Sequence, residues 1–105
     1  MQSFPMFIRT TGRRVVIAGG GEQAAQKARL VTRTDASLVL LAPDLDPELA
    51  ALVDAGRAAW HQGPITAALF EGAAMGFVAT GCPGIDASLH ALAVAARCPV
   101  NVVDQ

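Results

Sequence analysis

The stretch RRVVIAGGGEQAAQK, residues 13–27, decides the fold. Its first part, RVVIAG at 14–19, is short, β-branched and bounded by glycine, which predicts a buried strand. Its second part opens a helix predicted over 22–33, with Ala24, Ala28 and Val31 at i, i+4 and i+7. Three glycines stand between the two. Glycine loses more backbone entropy on folding than any other residue. Three of them at a strand-to-helix junction imply that something must come close to the backbone there.

Outward from this stretch the same alternation continues. TDAS should stop the first helix, with Asp35 taking the left-handed conformation that glycine more often supplies. SLVLLAP, 37–43, reads as a second buried strand ended by Pro43. DPELAALVDAG reads as a helix with Asp46 as N-cap, Pro47 at the first position and Gly56 past its end. RAAWHQG predicts a short third strand, PITAALFEGA a weak helix or turn, and MGFVAT, 75–80, a fourth strand. GIDASLHALAVAARC predicts a helix with Leu89, Leu92 and Ala96 on one face, and VNVV, 100–103, a fifth strand. Strands alternating with helices make βαβ units and a parallel sheet. The expected architecture is a doubly wound, Rossmann-like α/β sheet in the order 3-2-1-4-5. Its ligand crevice should lie outside the carboxyl ends of strands 1 and 4.

The bulk composition agrees. The 105 residues suit one domain, spanning 1–105. They are 52% hydrophobic, 5% aromatic and 16% charged, the make-up of elements buried on both faces rather than of a disordered chain. Eight Lys and Arg against nine Asp and Glu give a net charge of -1 with no basic stripe, which argues against nucleic acid as a partner. No apolar run reaches the roughly 18 residues of a membrane span. The start of the chain lacks the order of a secretory signal, so a cytoplasmic location is expected. Cys82 and Cys98 are expected as free thiols.

Within the glycine turn, Gly19, Gly21 and Ala24 fit G-x-G-x-x-A after a strand and at the start of a helix, the context a dinucleotide fingerprint requires. Gly19 would permit the tight turn, Gly21 the approach of a pyrophosphate, and Ala24 close packing of helix on strand. The helix start would hold the phosphates. An acid is expected about 20 residues on, to bind the adenosine ribose. Here the first one, Asp44, comes one or two positions late, either within reach of the ribose or simply a solvated turn acid. No Arg or Lys lies between 34 and 56, which favours NAD over NADP. His61 and His90 read as ordinary strand or surface histidines. Cys82, His90 and Cys98 lack metal-ligand spacing, and no metal site is expected. Cys82 falls at the crevice mouth, more as a small filler than as a reactive group. There is no nucleophile elbow and no Walker lysine. Asp104, directly after strand 5, is either a carboxylate delivered to the crevice mouth or a turn aspartate.

These strings together, FPMFIRTTGRRVVIAGGGEQAAQKARL, LLAPDLDPELAAL, FVAT and VNVVD, resemble the NAD-binding dehydrogenase module of siroheme synthases and precorrin-2 dehydrogenases (sirohydrochlorin ferrochelatases). The resemblance runs from about Phe4 to Asp104. It implies NAD as cofactor and the tetrapyrrole precorrin-2 as substrate, oxidised to sirohydrochlorin, with iron insertion in many members. It also implies roles residue by residue. Gly19, Gly20, Gly21, Glu22 and Gln23 would meet the pyrophosphate, and Pro43 and Asp44 the adenosine ribose. Thr80 would sit beside the cofactor, and Asp104 would act as general acid/base. Two departures stand out. Gly81 and Cys82 follow Ala79-Thr80 where the family often has acids. The family also continues into a dimerisation segment and a helical region that completes the tetrapyrrole cleft. The 105-residue chain is therefore expected to bind nucleotide yet oxidise precorrin-2 poorly, as part of a longer architecture. The alternatives are a stand-alone NAD-sensing domain without catalysis, and a fold of this type that binds nothing.

Overall fold

The computed structural model describes residues 13–103. Asp104 and the FPMF segment near the start lie outside the described residues. The elements run β1 (Arg14–Ala18), α1 (Glu22–Val31), β2 (Ser37–Leu41), α2 (Pro47–Asp54), β3 (Ala58–His61), a 3-10 turn (Ala67–Leu69), β4 (Met75–Val78), α3 (Pro83–Ala95) and β5 (Val100–Val102). All four strand pairings are parallel. The sheet order is β3-β2-β1-β4-β5, as the alternation of the sequence predicts.

Burial explains why these segments are strands. Val15, Val16, Ile17 and Ala18 of central β1 are fully buried, and every residue of β4 is buried. One face, with Val15, Ile17, Leu38, Leu40, Met75 and Phe77, packs against Ala24, Ala25, Ala28 and Val31 of α1 and Leu49 of α2. Alanines on the buried stripe of α1 let the helix axis approach the sheet closely. The other face, with Val16, Ala18, Leu41 and Val78, is covered by Leu89 and Ala93 of α3 together with Phe70 and Cys98. Phe70, in a segment that the sequence predicts only as a weak helix or turn, is fully buried. Gly76 makes room for it: a Cβ there would lie 3.4 Å from the Phe70 ring and 3.3 Å from Cys98 Sγ. Arg14 holds this connection down from below, donating to the carbonyls of Leu69 and Glu71.

The helix ends correct one expectation. Asp35 does not take the left-handed conformation; Arg97 is the non-glycine residue with positive φ, +58°, among the described residues. α1 ends instead where Thr34 Oγ1 donates to the Val31 carbonyl at 2.7 Å and accepts from the Ala36 N–H at 3.1 Å. The Arg29 carbonyl, which a left-handed cap would otherwise serve, accepts from Thr32 Oγ1 at 3.1 Å. α2 ends as expected at Gly56, φ +75°. α3 ends in the same way, but with Arg97 in the place glycine usually holds. The Arg97 N–H donates to Val94 O and the Cys98 N–H to Ala93 O, the paired bonds of a Schellman turn. No helix among the described residues is long and apolar enough to cross a membrane.

Candidate functional site

The site is built where β1 gives way to α1. Gly19 has φ +138°, and a Cβ on it would lie 2.2 Å from the Ala79 carbonyl oxygen at the end of β4. A Cβ on Gly20 would lie 1.9 Å from the carbonyl oxygen of Asp44. Gly21 differs from both: a Cβ there meets nothing within 4 Å. The first two glycines are therefore needed by the protein itself, and the third leaves open space. The turn is locked to its neighbours by backbone bonds. The Gly19 N–H donates to Leu41 O at 2.9 Å, and the Asp46 N–H donates to Gly20 O at 2.7 Å.

Gly21 is the N-cap of α1, and no side chain caps that helix start. The first-turn amides of a helix have no partner within the helix. With the dipole they make a ready place for an anion, and the bare Gly21 leaves the way to them unobstructed. The donor set and the space thus fit a pyrophosphate.

Gly19, Gly20, Gly21, Pro43, Asp44 and Thr80, all expected from the sequence, line one cleft of about 460 Å³. Leu41, Ile65, Ile85 and Leu89 supply its apolar wall, which the sequence reading did not assign. Cys82 lies at its margin, exposed, as expected. Glu22 and Gln23 line a smaller hollow of about 280 Å³ on the other side of the turn, together with Gly21, Ala79, Thr80 and Gly81. A volume of several hundred cubic ångströms with an apolar lining and a few polar groups is typical of a cofactor site. Trp60 Nε1, on edge strand β3, donates to the Ala42 carbonyl at 2.8 Å and steadies the cleft wall there.

Asp86 was missed by the sequence reading. It is the buried charged residue of the described chain, 6% exposed, in the first turn of α3. Its Oδ1 accepts from the Thr80 N–H at 3.1 Å and from Thr80 Oγ1 at 2.5 Å. Thr80 Oγ1 in turn accepts from the Cys82 N–H at 3.2 Å. Asp86 therefore fixes the side chain that faces the cleft at the end of β4. Its position six residues on could have been read as the helix-start acid of an uncapped α3.

A second group escaped the sequence window that holds no cation. Arg29, from α1, reaches the start of α2. Its Nε and Nη2 donate to Glu48 at 2.7 and 2.6 Å, and Nη2 also contacts Glu22 Oε1 at 3.3 Å. The hydrogen bonds that Arg29 donates to Glu48 drive the arginine pKa up and hold the Glu48 carboxyl below its usual range. His61 hydrogen-bonds the Pro64 carbonyl and His90 is exposed on α3. Among the described residues no cluster of His, Cys, Asp or Glu could hold a metal ion.

Comparison with known proteins agrees with this geometry. Residues 6–105 match the family model described as putative NAD(P)-binding. The siroheme synthase of Chromobacterium violaceum is 38% identical over 104 residues, 99% of this chain and 22% of that protein. The siroheme synthase of Pseudomonas putida strain W619 is 40% identical over the same shares. The chain thus spans about a fifth, 22%, of the length of these curated relatives. The solved structure of SirC, precorrin-2 dehydrogenase, superposes with a TM-score of 0.70 over 88% of this chain and 45% of that one, at 19% identity, a likeness of fold.

Proposed function

The chain belongs to the putative NAD(P)-binding family, and we propose that it is the NAD-binding part of an enzyme oxidising precorrin-2 to sirohydrochlorin. One observation carries the proposal: Gly21 holds an open space at an uncapped helix start, preceded by two glycines that the protein needs for its own packing. The names of the relatives support the reaction, siroheme synthase in sequence and precorrin-2 dehydrogenase in fold.

The roles follow from position. Gly19 to Gln23 hold the pyrophosphate, Gly19 by shaping the turn, since its own N–H is bonded to Leu41 O, and the others through backbone amides. Pro43 and Asp44 meet the adenosine ribose at the end of β2. Thr80, fixed by Asp86, faces the nicotinamide half. NAD supplies a hydride acceptor, and the protein supplies placement. Asp104, two residues past the end of β5, is proposed as the base that takes the proton lost with the hydride. A carboxylate suits this because burial and neighbours can tune its basicity. Residues 1–105 form the dinucleotide-binding domain of this reading.

The test uses this chain alone and a chimera in which it replaces the matching segment of the Chromobacterium violaceum siroheme synthase. NADH appearance is followed with precorrin-2 generated in place. The chimera is expected to turn over and the isolated chain to do so poorly, since a large polycarboxylate needs more enclosure than one open edge gives. Asp104→Ala in the chimera should lower turnover by roughly 100-fold with NAD affinity little changed. A chimera that binds NAD but never forms NADH would leave the chain a binding module. An unimpaired Asp104→Ala variant would remove Asp104 from the reaction.

A further inference from the structure

We propose that Glu48 selects against a 2′-phosphorylated dinucleotide by occupying Arg29, an inference that rests on the cleft taking a dinucleotide. The ribose of a bound dinucleotide lies at the carboxyl end of β2, where an acid accepts its 2′-hydroxyl or an arginine accommodates a 2′-phosphate. In this chain that end is the loop carrying Asp44 and Asp46, both lining the cleft. Glu22 directly follows Gly21, and Glu48 comes two residues after Asp46. The bond from the Asp46 N–H to Gly20 O ties the two helix starts together. One guanidinium bridges them. Arg29 donates to both oxygens of Glu48 and also reaches Glu22.

A planar guanidinium offers a fork that suits a phosphate as well as a carboxylate. Here the fork is filled by a carboxylate on the protein. Asp44 and Asp46 line the cleft, Glu22 and Glu48 stand in the first turns of the two helices that flank this loop, and Arg29 is paired with both of those glutamates. A 2′-phosphate dianion would meet net negative charge and no available donor fork. A plain 2′-hydroxyl carries no such penalty. The other arginines that the structure shows bonded are spent at the opposite, amino edge of the sheet. Arg13 and Arg14 donate to carbonyls of the segment before β4, and Arg57 to Thr32 O. Lys27 lies over the Phe77 ring, 5.6 Å from its centroid.

The experiment is calorimetric titration of NAD and of NADP into the wild-type chain, Glu48→Gln, and the double variant Glu48→Gln/Arg29→Gln, at low ionic strength. Glu48→Gln removes one charge and the bidentate carboxylate, leaving Arg29 only the longer contact to Glu22. The ratio of the NADP to the NAD dissociation constant should fall by roughly tenfold, the size expected for one charge acting on a nearby dianion across a partly aqueous path. The gain should shrink in high salt. The double variant has the wild-type net charge and no guanidinium, so its ratio should return to the wild-type value. NAD binding with an unchanged ratio in Glu48→Gln overturns this inference alone. So does a lowered ratio that survives in the double variant, because Arg29 would then have no part in it. Wild-type chain that binds NADP as tightly as NAD also overturns it. Wild-type chain that binds neither nucleotide overturns the dinucleotide reading and this inference together.

Discussion

Gly19, Gly20 and Gly21 are neighbours in sequence and differ in what confines them. Gly19 is held by φ +138° and by the Ala79 carbonyl, and Gly20 by the Asp44 carbonyl. Either glycine replaced by alanine must push backbone away from backbone, since both contacts fall well below 3 Å. Gly19→Ala is expected to cost about 2 kcal/mol or more, a positive-φ penalty added to a steric one. Urea unfolding followed by the fluorescence of Trp60 measures it; an unchanged midpoint would refute the close approach. The sequence could show that the three glycines mattered but not how their duties divide. That division depends on Ala79 and Asp44, which folding brings from elsewhere in the chain. Arg29 was illegible for the same reason, its partner Glu48 being 19 residues away, whereas Asp86 carried a local signal as a first-turn acid of α3.

Cys82 and Cys98 are both free thiols, and their surroundings differ. Burial pushes the Cys98 thiol pKa up, with the charge of Arg14 partly opposing. The folded state therefore favours the neutral thiol. This contribution to stability is fully present below about pH 9, the ordinary thiol value, and is lost as pH rises through the higher folded value. Cys98→Ala should flatten the fall in urea midpoint above that pH. A slope equal to that of the wild type would show that the Cys98 thiolate is not disfavoured by folding.

At the scale of elements, the sequence was legible in kind and imprecise at the ends. Every predicted strand and helix exists; β1, β2 and β4 rest on apolar runs that are buried, whereas β3 and β5 at the sheet edges bury no residue fully. The predicted first strand ran to Gly19, but the positive φ of that residue takes it out of β1, which ends at Ala18. The first helix was drawn two residues long because nothing in TDAS marks Thr34 as the group that captures the Val31 carbonyl. Phe70 was unreadable as core because its burial comes from Gly76 and Cys98 rather than from a repeating pattern. The end of α3 allows a gain. Arg97 holds a left-handed conformation, φ +58°, in a turn that is otherwise well bonded. Left-handed backbone costs an L-residue roughly 1–2 kcal/mol, partly offset by the greater unfolded freedom of glycine. Arg97→Gly should stabilise the chain by about 1 kcal/mol, raising the melting temperature by roughly 4–8 °C. No rise in a thermal melt would mean that the Arg97 side chain makes up the difference.

For the molecule as a whole, the strand order follows from alternation, since parallel neighbours need crossovers and helices then fill both faces. That order places the glycine turn, the Asp44 loop and Thr80 on one edge of the sheet, and Arg13, Arg14 and Arg57 on the other. The site is thus a consequence of topology more than of any single motif. Gly21 gives the most direct access to it, because a side chain there disturbs no protein atom within 4 Å. Its backbone, φ -104° and ψ -160°, is one that L-residues adopt. The measurement is calorimetric titration of NAD into wild-type chain and Gly21→Val, with thermal melts of both. The account predicts that the two melt alike, that wild type binds NAD, and that the variant loses most of that affinity because the new side chain fills the space the pyrophosphate needs. Equal NAD affinity in the two chains, or no NAD binding by the wild type, would contradict it.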